Sequence, residues 1–131
     1  MKQIAYQVDV KMSIELIIQL LNRTDDSTWL ILEGDLSQFR ASGMTGVVHQ
    51  SANGHGNRVM IPLTRENIFW LKTAVLLRVG IRSLVRNVYL RKDDRDLFAG
   101  CDCFRNGATI SDWVSPDVIH DLQRTGVIAV H

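Results

Sequence analysis

Proline and cysteine are scarce in this chain of 131 residues, which holds two of each. Two cysteines make no disulfide framework, so a hydrophobic core must hold the fold, and a reducing, cytoplasmic setting is expected. Long apolar runs are missing too. No stretch approaches the ~18 residues of a membrane span, and the opening MKQIAYQVDVKM lacks the apolar segment of a secretion signal, so no membrane partner is expected. Nor is there an excess of one charge: 15 basic against 14 acidic residues leave +1 at neutral pH. That removes the bulk attraction that marks most nucleic-acid binders, and a nucleic-acid partner is not expected. The short catalytic signatures are absent as well, with no G-x-S-x-G, no P-loop and no H-E-x-x-H, so no cofactor is implied.

What is present suffices for one globular domain over residues 1–131, with 46% hydrophobic and 22% charged residues. SIELIIQLLNR places Ile14, Ile17, Ile18 and Leu21 at helical spacing behind Ser13. Thr64 is a cap for a second, well-buried helix, RENIFWLKTAVLLRVG, which Gly80 should end. The third helix is the best marked: Ser115 as N-cap, Pro116 in the first turn, Asp117 near the positive end of the dipole, and Gly126 after its last turn. Strands are expected at TWLILEGDL, RVMIPL, SLVRNVYLRK and DLFAGCDCF, the last two joined by a short acidic turn. Residues 41–57, rich in Gly, Ser and Asn, read as one long loop, and the first ten residues carry no decisive pattern. The expected class is α+β, with a largely antiparallel sheet of about four strands and three helices packed mainly on one face.

Both cysteines lie in the last of those strands. Residues two apart on a strand share a face, so Cys101 and Cys103 group with Leu97 and Ala99 on what reads as the core face. Parallel side chains about 6.6 Å apart along the strand suit neither a disulfide nor, without paired partners, a zinc site. The opposite face then carries Phe98, Gly100, Asp102 and Phe104. In WLILEGD the same split puts Trp29, Ile31, Glu33 and Asp35 together. If the helices cover only one side of the sheet, Trp29, Ile31, Phe98 and Phe104 form an exposed apolar patch bordered by Glu33, Asp35 and Asp102, as interfaces often do. The alternative is that a helix or the long loop covers this face. Residues 65–92 are basic, with seven Lys and Arg against Glu66 alone. Among them Arg86 alternates with Leu84, Val88 and Leu90, which directs it toward an apolar face and a buried ion pair with Glu33 or Asp102.

The motifs EGDLS (Glu33 to Ser37), Pro62 before a helix, Phe98 with Asp102 and Phe104, and the closing Leu122, Gly126, Val127 and Ile128 together resemble a group of small bacterial α+β proteins. Such proteins are carried as integron gene cassettes or act as immunity-like accessory proteins. The likeness spans most of residues 28–130 and implies a binding role, while Arg105 stands where a His often follows the Phe, which argues against His-dependent chemistry. The leading expectation is therefore a non-catalytic interaction module whose partner is another protein or a second copy in a homodimer. The alternative is a small-molecule- or metal-dependent enzyme using Glu33, Asp35 and Asp102, with His49 or His55 on a closing loop.

Overall fold

A computed structural model describes residues 5–25, 27–36, 43–52, 56–76, 85–101, 104–105 and 107–130. The element order is β1 (Ala5–Val10), α1 (Ser13–Leu21), β2 (Trp29–Gly34), β3 (Val48–Ala52), β4 (Gly56–Pro62), α2 (Arg65–Trp70), β5 (Val85–Lys92), β6 (Arg95–Gly100), β7 (Ala108–Ser111), α3 (Pro116–Arg124) and β8 (Ile128–Val130). After Trp70 the second helix widens into a π-helical stretch, Leu71–Val75. The expected stop at Gly80 lies outside the described residues.

The class α+β holds, but the sheet is twice as wide as expected. Eight strands run in the order β3-β4-β2-β5-β6-β7-β1-β8, every neighbouring pair antiparallel, with β3 and β8 at open edges. The four additional strands escaped the sequence pattern for physical reasons. β1 buries only Val8 and Val10, β7 has four residues and β8 three. β3, VHQSA, carries almost no apolar residue because its described side chains are exposed, and it takes its place through pairing with β4. The supposed long loop of 41–57 thus contains one strand and the start of another.

One face of the sheet makes the core. Cross-strand register aligns Ile61, Leu30, Leu90, Phe98 and Ile110 in one row, and Val59, Leu32 and Val88 in the next, all at most 1% exposed. Leu16, Ile17, Leu20 and Leu21 of α1, Leu71 and Leu76 of the second helix, and Ile119 and Leu122 of α3 join those strand residues in a single apolar cluster. Two of the three helix starts follow the expected chemistry; in α1 Ser13, the expected cap, is instead the first helical residue and Met12 precedes it without a side-chain cap. Thr64 accepts the Asn67 N–H at 3.1 Å, Ser115 accepts that of Val118, and Gly126 ends α3 at φ 79°, where a side chain would be strained. Asn67 itself, fully buried, exchanges two hydrogen bonds with the Thr45 backbone and donates to the Pro62 carbonyl, tying the loop before β3 to the start of α2. Among the described residues, no helix is long and apolar enough to cross a membrane.

Candidate interaction face

Helix residues and one set of strand residues account for the core, and the alternate residues of each strand point to the other side of the sheet. Register places Val48, Met60, Ile31, Tyr89, Ala99, Thr109 and Gln7 in one row across seven strands. The row is apolar at the β3 end and polar at the β1 end. Val48 is 39% exposed, whereas Ile31, in the middle, is 1% exposed yet stands outside the helix-covered cluster. Pro62, Trp29 and Arg91 form a flanking row on one side, and Gln50, Arg58, Glu33 and Asn87 on the other.

Charge on this face is neutralised in pairs. Glu33 is 3% exposed, and a carboxylate so deeply buried requires compensation. Arg58 supplies it from the neighbouring strand through Nε at 2.8 Å and Nη2 at 2.5 Å, both to Oε2, while Asn87 on the other neighbour donates Nδ2 to Oε1 at 3.0 Å. Both carboxylate oxygens are thereby engaged. Across the apolar row, Arg91 Nε donates to Asp96 at 2.8 Å, and its guanidinium lies 5.7 Å from the centre of the Tyr89 ring. The Tyr89 hydroxyl sits 3.7 Å from Cys101 Sγ. Burial, reinforced by that thiol, pushes the Tyr89 phenol above its ordinary pKa, so it stays protonated at neutral pH.

Three of the expected site residues, Trp29, Ile31 and Glu33, lie on this face as the alternation requires, but the expected exposure is not found: Ile31 and Glu33 are buried and Trp29 is half-buried. Asp35 is exposed in the bend just past the end of β2. Phe98 and Phe104 are corrected: both are buried in the core, 1% and 7% exposed, with ring centroids 6.3 Å apart. The reason is a bulge. Leu90 pairs with Phe98 but Arg91 pairs with Asp96, so Leu97 is an extra residue, and it and Phe98 are both buried. Counting alternation from Leu97 therefore inverts every later position: Phe98 and Gly100 face the helices, and Cys101, expected in the core, is exposed. Phe104, at φ 63°, folds back over Gly100, where an added Cβ would stand 2.1 Å from its ring.

Arg86 is corrected in the same way. It lies in the irregularity where pairing passes from Glu33–Asn87 to Gly34–Val85, and it is exposed, not buried. Arg58, which sequence alternation did not single out, places its guanidinium on buried Glu33. Asp102, Cys103 and His55 lie outside the described residues, while His49 is exposed on β3 and His120 on α3. Among the described residues, no three His, Cys, Asp or Glu side chains gather as a metal site would require. Met60, Tyr89, Arg58 and Asn87 are the functional candidates that sequence reasoning missed. The alternation that assigns Val59 and Ile61 to the core already points Met60 outward, and the same holds for Tyr89 between Val88 and Leu90. Compared with known proteins, the chain matches no family model, no curated protein and no solved structure.

Proposed function

We propose that this protein is a non-catalytic interaction module that self-associates through the sheet face opposite its helices. The observation that carries this reading is the row Val48, Met60, Ile31 and Tyr89, apolar or aromatic side chains outside the helix-covered core. A two-fold contact needs a single self-complementary patch. Two copies of this face meet without net repulsion, because the charges beside the row are already paired as Arg58 with Glu33 and Arg91 with Asp96. Face-to-face packing of two twisted sheets is a common way to close such a layer. An accessory or immunity-like role, as the cassette resemblance implies, is compatible with a module whose work is contact, and a different protein seated on the same face is the variant of the proposal that fits that role. Glu33, with both oxygens held by Arg58 and Asn87, is a structural anchor, which supports a reading without catalysis.

The test is positional. Met60→Lys places a charge in the apolar end of the row, and Gln7→Lys places the same charge at its polar end. Light scattering after gel filtration should show Met60→Lys shifted to the monomer and Gln7→Lys unchanged. Equal behaviour of the two variants contradicts this assignment of the face.

A further inference from the structure

A cleft of about 360 Å³ lies at the end of the sheet where the β5–β6 hairpin turns, beside the segment that follows α1. This volume falls within the range of small-molecule sites. Arg23, Lys92 and Arg95 line it with Asp25 and Asp93; Lys92 is ion-paired to Asp25 and Arg95 to Asp112, so the cation the cleft presents to a ligand is Arg23.

The walls of the hairpin cleft are held before any ligand arrives. Asp25 accepts from the Ser27 N–H at 3.0 Å, the Ser27 hydroxyl at 2.7 Å and the Thr28 hydroxyl at 3.2 Å on Oδ1, and from Lys92 on Oδ2. Trp113 donates its indole N–H to the Leu97 carbonyl at 2.7 Å. That N–H is the only polar group of the side chain, so what Trp113 offers the cleft is apolar ring surface. Arg23 bonds to Gln19 through Nη1 alone, to the carbonyl at 2.7 Å and to Oε1 at 3.3 Å. Its Nε and Nη2 make no bond to the described residues. A guanidinium presenting Nε and Nη2 matches a carboxylate in the two-pronged geometry.

From these groups we infer that the cleft binds a small, flat monoanion, namely an aromatic or heteroaromatic carboxylate. The carboxylate meets the Nε and Nη2 of Arg23, and the planar body lies against Trp113. This inference is independent of the sheet-face proposal, whose residues do not line the cleft.

The indole N–H signals of ¹⁵N-labelled protein test it, with Trp113 assigned by Trp113→Phe and the Trp29 and Trp70 signals as internal controls. Titration with benzoate should move the Trp113 signal saturably, benzamide should move it far less, and inorganic phosphate should bind more weakly than benzoate. Arg23→Gln, at an exposed position, should keep the fold and weaken benzoate about tenfold, the loss expected for a charge-assisted hydrogen bond. No saturable movement with benzoate, equal movement with benzamide, phosphate binding as tight as benzoate, or an unchanged affinity in Arg23→Gln would each overturn the inference.

Discussion

Glu33 shows how a single buried charge shapes its surroundings. The carboxylate lies on β2, an interior strand of the eight-stranded sheet, and compensation comes sideways, from Arg58 on one neighbouring strand and Asn87 on the other. Removing Arg58 takes away the guanidinium bonded to Oε2 of a buried carboxylate. Arg58→Ala should therefore cost roughly 2–3 kcal/mol in urea unfolding, somewhat below the loss for a fully buried pair because Arg58 keeps part of its surface in water. Replacing both partners, as Arg58→Met with Glu33→Leu, should recover most of that loss. Asp25 behaves differently because it is exposed. Lys92, with the Ser27 hydroxyl and N–H, holds its carboxyl far below the usual range. For a depressed acid, the stabilisation is complete above the unfolded value of about 3.9 and is lost as pH falls through the folded one. The stability gap between the wild type and Lys92→Ala should therefore be present at neutral pH and shrink as the solution is acidified below about pH 4. A gap that is constant with pH would show that Lys92 contributes through packing alone.

Strands and helices differ in how openly their residues announce them. The third helix is legible because three independent signals agree: a Ser cap, a Pro in the first turn and a Gly after the last. The β5–β6 hairpin is legible from its turn, and Asp93 and Asp94 both adopt positive φ, 49° and 65°, as the tight two-residue connection demands. Aspartate tolerates that region less well than Asn-Gly does. The double change Asp93→Asn and Asp94→Gly should accordingly raise stability by about 0.5–1 kcal/mol in thermal melts, and a lower melting temperature would argue against this turn geometry. β6 overlaps the expected strand DLFAGCDCF but ends at Gly100, and its faces are inverted, since a bulge at Leu97 is a matter of pairing with β5 that no count along one strand reveals. β3 is invisible for a related reason. At a sheet edge its backbone is fixed by β4 while its described side chains remain in water, so hydrophobic alternation never develops.

At the scale of the whole molecule, one face of the sheet is covered by helices and holds the core, and the second face, with Ile31 and Glu33 already buried in the single chain, is the proposed contact surface. Half of that second face was readable from WLILEG, because Trp29, Ile31 and Glu33 alternate cleanly with Leu30 and Leu32. The remainder comes from register: only pairing with β4 and β5 brings Met60, Arg58, Asn87 and Tyr89 beside them and takes Phe98 and Phe104 away. Sedimentation equilibrium over low to high micromolar protein tests most directly whether this face joins two copies. The account predicts an average mass that rises with concentration toward twice that of the chain, and that stays at one chain mass when Met60 is changed to Lys. A wild-type protein that remains at a single chain mass throughout the range would contradict it.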